Sequence, residues 1–258
     1  MKRLPSIATL ILAMLVAGAC TTPKSTIPTT TLPPAISQSP EYPVDLRGAT
    51  LYQISPAAST VNVLVFRGGT LANLGHNHVI TSKSVNGYVW RHAELNLCGF
   101  DIAMPVGELI VDDNDARAAQ GPDFPINVPD TARQGTQRNM LSEALLDAEH
   151  YPVIRLQSAN ISGDIEMPRI VVHVTIKDQM HLYTLPVTVQ ADAHHLRVKG
   201  EFAVKQTEFG IKPYSIAMGA LQVLDELQIK FDLQADAVQP DLSQNTGDED
   251  SADLPRLP

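Results

Sequence analysis

Residues 74–80 read Leu-Gly-His-Asn-His-Val-Ile. Two imidazoles spaced i, i+2 fall on one side of an extended segment, because side chains alternate across a strand with period two. Such a pair offers three kinds of chemistry: half of a metal site, a polar anchor at the end of a ligand cavity, or a hydrogen-bonding pair that fixes loops. Zinc or copper would need at least a third ligand. His92, His150, His173, His181, His194 and His195 are present, but none completes a recognisable spacing motif. The expected role of His76 and His78 is therefore hydrogen bonding near one end of a cavity, to a ligand head group or a backbone carbonyl. A histidine-dependent metal-binding or redox-support protein is the alternative. The adjacent pair His194-His195 is most simply a turn between two strands.

Catalysis would require a nucleophile or paired carboxylates converging with a base. Asp112, Asp113 and Asp115 stand near Arg117, a pattern that reads as a solvated loop with a capping aspartate. There is no Gly-x-Ser-x-Gly elbow and no zinc-protease motif, so no catalytic residue, metal ligand or cofactor is assigned and an enzyme is not expected. Cys98 has no basic or aromatic neighbour in sequence that would activate a thiolate, and reads as a small buried apolar side chain. A net charge of -9 leaves no basic footprint, which argues against nucleic acid as a partner.

The elements that must position these residues are strands. Leu227, Ile229, Phe231, Leu233 and Ala235 alternate with polar residues, as do Leu196, Val198, Gly200, Phe202 and Val204. Ile170, Val172, Val174 and Ile176 form a third period-two series, and further strands are expected at Val61–Arg67, Gly87–His92, Glu94–Val106, Val153–Ile161 and Tyr183–Gln190. About eight strands is the size at which a closed sheet leaves an interior just wide enough for side chains or one small ligand. One face in and one face out suits an antiparallel up-and-down arrangement. Helical pattern is confined to one region: Thr136 is expected to cap a short helix carrying Met140, Leu141, Ala144 and Leu145, with another turn at Asp115–Ala119.

The flanks set the compartment. Lys2 and Arg3 precede an uncharged, mostly apolar run from Ile7 to Ala19, too short to span a hydrocarbon core of about 30 Å. The small residues Ala17, Gly18 and Ala19 before Cys20 resemble a bacterial lipobox, which implies a leader over 1–19, cleavage before Cys20 and lipidation of its sulfur. Ordinary secretion with cleavage nearby is the alternative. Lipidation would place the protein in the cell envelope, facing the periplasm, on the outer membrane as the expected surface and without a transmembrane helix. Residues 20–40, rich in proline and threonine, are expected to form a semi-extended tether, and at about 3.1 Å per residue could reach roughly 60 Å. Residues 41–238 are expected to form one domain, and residues 239–258 a solvated acidic tail.

The order of features resembles a known family. Tyr52-Gln53-Ile54 with Ser59, Gly75-His76-Asn77-His78, Arg138-Asn139-Met140-Leu141, Tyr151-Pro152-Val153-Ile154 and Phe209-Gly210-Ile211 follow one another as in the YceI-like family of exported bacterial proteins. The resemblance covers roughly Tyr52 to Ala235, and the histidine pair with Arg138–Leu141 looks like a subgroup. It implies an all-β fold, an eight-stranded antiparallel lipocalin-like barrel with a short helix between strands. Its apolar interior would hold a polyisoprenoid-like amphiphile. On that reading Val63, Val65, Phe100, Ile102, Met104, Phe202, Phe231 and Leu233 line a tunnel for a hydrocarbon tail, with His76 and His78 at one end. A barrel filled by its own side chains, serving as an interaction module, fits the strand count equally. One departure stands out: Asp178-Gln179-Met180-His181 follows Val174–Lys177 where the family often has a glycine-containing turn, which puts the shape of that end in question.

Overall fold

The computed structural model describes residues 39–43, 45–46 and 48–239. The leader, Cys20, nearly all of the tether and residues 240–258 lie outside them. In chain order the elements are β1 (Thr50–Ile54), β2 (Thr60–Val65), β3 (Arg67–Gly68), β4 (His78–Ser82), β5 (Asn86–Arg91), β6 (Gly99–Pro105) and β7 (Ile110–Val111). The helices α1 (Asn114–Ala118) and α2 (Asp130–Leu141) follow. Then come β8 (Val153–Gly163), β9 (Pro168–Ile176), β10 (Gln179–Ala191), β11 (His195–Lys205), β12 (Ser215–Ile216), β13 (Leu221–Val223) and β14 (Glu226–Ala237).

β1, β5, β6, β8, β9, β10, β11 and β14 close into an antiparallel cylinder, with β14 returning to β1 through Tyr52↔Ala237 and Ile54↔Ala235. β2, β4 and β7 extend three of these staves, so that β1–β2, β4–β5 and β6–β7 are each one bent strand. The long β14 reveals this directly. Its residues 228–232 pair with β2, and its residues 235–237 pair with β1. The result is an eight-stave up-and-down barrel, and each of the eight expected strands falls on a different stave.

The bends have local causes. Pro56, which has no N–H to give a ladder, opens the 3-10 turn that separates β1 from β2. Ser59 bridges the gap: its buried hydroxyl donates to the Gln234 carbonyl at 3.1 Å and accepts from the Gln234 N–H at 3.0 Å. Pro105 and a second 3-10 turn at Val106–Glu108 bend β6 into β7. In β5, Gly87 has φ 145, and a Cβ there would lie 2.3 Å from the Asp101 carbonyl oxygen, so a residue without a side chain permits this close pairing.

Three sequence expectations need correction. Glu94–Cys98 is not strand: Leu95–Leu97 forms a 3-10 turn and the stave begins at Gly99. The helix starts at Asp130 rather than at a Thr136 cap and ends at Leu141, leaving Ala144 and Leu145 in the turns that follow. The apolar spacing of its last turn is visible in sequence, whereas residues 130–139 carry no apolar stripe to announce a helix. At the β9–β10 turn no glycine is needed, because Lys177 itself takes φ 59 and the strands pair from Ile176↔Gln179 onward.

The two ends of the barrel differ. One end carries the connections 92–98, 164–167 and 192–194. The other, the helical end, carries residues 66–77, both helices, the β9–β10 turn and residues 206–225. Outside the barrel wall, Asp101 and Arg155 form a buried ion pair, with Arg155 Nε 2.9 Å from Asp101 Oδ1. The Glu41 N–H donates to the same carboxylate at 3.2 Å, and Tyr42 packs edge-on against Tyr88 at 4.8 Å. The segment before β1 is thereby strapped over the outer face.

Candidate functional site

Inward side chains follow from strand alternation. On β6, Phe100, Ile102 and Met104 face in while Asp101 and Ala103 face out; on β2, Val61, Val63 and Val65 face in. These side chains do not fill the barrel. They surround a cavity of about 410 Å³, lined mostly by Val, Ile, Leu, Met and Phe, within the range of about 300–1,000 Å³ usual for small-molecule sites. The lining runs from Leu95 and Ile165 at one end to His76, Tyr214 and Leu221 at the helical end. All ten residues expected to meet a ligand, Val63, Val65, His76, His78, Phe100, Ile102, Met104, Phe202, Phe231 and Leu233, lie on this lining.

Residues not anticipated also contribute. Val85 and Val89 follow the alternation of β4–β5 and were legible in principle. Thr136, Asn139 and Met140 of α2, with Leu145 and Leu146 after it, close part of the helical end. Tyr214 and Leu221–Val223 come from the segment of the short strands β12 and β13, too brief for periodicity to mark them. Cys98 lines the cavity half-buried, its sulfur 3.2 Å from the His92 N–H and 3.3 Å from the His92 carbonyl.

Most polar side chains on the lining lie at the helical end, where Arg67, His76, His78, Thr136, Asn139, Gln206 and Gln222 border the cavity, with Arg91 bordering it at the other end. The expected side-sharing of the two histidines holds, with ring centroids 6.4 Å apart. Asn77, between them, faces away and is fully engaged. Its Oδ1 accepts from the Arg67 N–H at 3.0 Å, its Nδ2 donates to the Asp123 carbonyl at 3.1 Å, and its own carbonyl accepts from Arg117 at 2.7 Å.

Behind His78 stands a buried charge network that the sequence reading placed in solvent. Asp112 and Arg117 are both 0% exposed and form a direct ion pair. His78 Nδ1 lies 2.6 Å from Asp112 Oδ2, and the Val79 N–H donates to Asp112 Oδ1 at 3.0 Å. Asp113, by contrast, is the expected cap, accepting from the Ala116 N–H at 3.0 Å. Burial pushes the Asp112 carboxyl up, but His78, the Val79 N–H and Arg117 together outweigh it and hold its pKa below the usual aspartate value. With Nδ1 committed to Asp112, the nitrogen that His78 can offer a ligand is Nε2. Among the described residues, no three His, Cys, Asp or Glu side chains are grouped to hold a metal ion. His194 and His195 sit at the β10–β11 turn, where both N–H groups donate to Asp192.

A closed eight-stave antiparallel barrel around one long apolar cavity defines a lipocalin-like barrel protein. The chain belongs to the YceI-like family, whose domain matches residues 52–235. Among solved structures, BcnA of Burkholderia cenocepacia aligns over 70% of this chain and 98% of its own, with a TM-score of 0.51 and 18% identity. The YCEI protein of Campylobacter jejuni aligns over 61% of this chain and 83% of its own, with a TM-score of 0.44 and 11% identity. Among curated proteins, none matches this chain.

Proposed function

We propose that this protein is an exported lipoprotein that binds a polyisoprenoid-like amphiphile in its barrel and stores or carries it within the cell envelope. The single observation that carries the reading is the unfilled apolar cavity running the length of the barrel. A hydrocarbon tail placed there gains about 25 cal/mol per Å² of buried apolar surface without needing polar partners. The gathering of Arg67, His76, His78 and Asn139 at one end gives the ligand an orientation: tail along the staves, polar head at the helical end, within reach of His78 Nε2. The leader over residues 1–19 and a lipid on Cys20 supply the location, holding the barrel to a membrane in the periplasm.

The test is organic extraction of the purified protein followed by mass spectrometry. An apolar molecule should be released in proportion to protein. A clean extract from protein purified without detergent, together with failure to take up added polyprenol, would overturn the reading. The alternative of a histidine-dependent metal site predicts stoichiometric metal that disappears in His76→Ala and His78→Ala. The commitment of His78 Nδ1 to Asp112 and the lack of a grouped third ligand among the described residues weigh against it.

A further inference from the structure

We propose that the loops at the helical end dock on the surface of a lipid bilayer containing anionic lipids, so that an apolar ligand passes between membrane and cavity without crossing water. The inference rests on the reading of the cavity as a hydrophobic-ligand site and adds where and against what it loads.

Two segments, residues 66–77 and 210–224, are braced into one surface. The Leu71 N–H donates to the Ala220 carbonyl at 2.7 Å and the Leu224 N–H to the Phe66 carbonyl at 2.8 Å, while β3 pairs with β13. Both segments line the cavity, through Gly75 and His76 on one and Tyr214 and Leu221 on the other. Both also turn large apolar side chains outward. Leu74 is 73% exposed and Met218 106%, accompanied by Leu71, Tyr214, Ile216 and Leu224. These are six of the thirteen large exposed apolar residues described, against three, Leu97, Ile165 and Met167, on the connections of the opposite end, and such clusters mark interaction surfaces. Met218 is held out by strained backbone, since Ala217 and Met218 take φ 50 and 55 although neither is glycine.

Charge selects the occupant. The two segments contain Arg67 and Lys212 and no Asp or Glu, in a chain whose net charge is -9. The acids that flank the second segment in sequence are turned onto other groups, Glu208 onto Tyr183 and Asp225 onto Thr207, while the exposed Asp123 adjoins the first segment through its carbonyl, which accepts from Asn77. An apolar rim segment with cationic and no acidic side chains suits the headgroup region of an anionic membrane.

The experiment measures pick-up of a fluorescently labelled polyprenol by the full chain from vesicles of phosphatidylcholine, with and without phosphatidylglycerol. For the wild type the rate should rise with vesicle concentration, as transfer by collision requires. Leu74→Ser with Met218→Ser should slow it about tenfold, and Lys212→Glu should slow pick-up from the anionic vesicles but not from the neutral ones. None of these side chains borders the cavity, so probe delivered from an ethanol dispersion should bind all variants equally, which also reports their folding. Any acyl anchor at Cys20 is common to all of them. Variants that load at the wild-type rate, or a rate independent of vesicle concentration, would overturn the docking surface. Failure of the wild type to bind probe from ethanol would instead remove the cavity reading, and this inference would fall with it.

Discussion

Asp112 and Arg117 link the histidine loop to the barrel wall. Arg117 is wholly buried; its Nε donates to the Pro125 carbonyl and its Nη1 to Asp112 and the Asn77 carbonyl, while its buried Nη2 has no partner among the described residues. Asp112→Asn should therefore leave a buried cation short of its counter-ion and cost about 3–5 kcal/mol in chemical denaturation. Because the folded pKa of Asp112 lies below the ordinary 3.8, its stabilising contribution is complete above that value and is lost as pH falls through the lower folded value. Thermal unfolding followed from about pH 5 to about pH 2 should show a steeper loss in the wild type than in Asp112→Asn. Parallel curves would remove Asp112 from the account. The motif Asp-Asp-x-Asp-x-Arg looked solvated because charge runs usually are. What reversed that was the third dimension: the loop folds back under β4, and no spacing rule reveals which of three aspartates meets a buried arginine.

Period-two patterning marked all eight staves, yet it missed β1 and β4. Both are short and do not alternate: adjacent Leu51 and Tyr52 are buried together in one, and Val79–Ser82 form a continuous buried run in the other. Their alternation is erased, and a short apolar run cannot be assigned from periodicity alone. The bends were equally hidden, because a strand that continues after a 3-10 turn reads as two unrelated pieces. Ser59 is the element-scale device that keeps β1–β2 registered on β14, and Ser59→Ala should cost about 1–3 kcal/mol by leaving the Gln234 N–H without its side-chain partner. Urea denaturation of that variant is the check, and a change within about 0.5 kcal/mol would show the bend to be held by other contacts.

At the scale of the molecule, the fold was legible and the void inside it was not. A filled barrel and a hollow one share the same alternation, since both need apolar residues pointing inward. Emptiness depends on how far Phe100, Phe202, Phe231 and their neighbours reach toward the axis. Gly200 illustrates the point: a Cβ there would meet the Phe231 ring at 2.6 Å, so the ring lies along the wall over the glycine instead of projecting across the interior. The resemblance to the YceI-like family therefore carried the expectation of a cavity, and the packing of the lining residues gave it substance. The sheet closes through β14 and β1, although β7 pairs only with β4 and the β10–β11 ladder runs only from Val187↔Gly200 to Ala191↔Leu196.

The claim that this interior accommodates a guest is tested most directly by titrating ligand-stripped protein with a fluorescent apolar probe, wild type beside Leu233→Trp. Leu233 points from β14 into the cavity, and the larger side chain has empty space to enter, so the variant should fold with unchanged thermal stability. Saturable binding by the wild type is expected, with affinity lower by about tenfold or more in Leu233→Trp, from loss of the volume a ligand would fill. Equal binding by both proteins, or none by either, would contradict the claim.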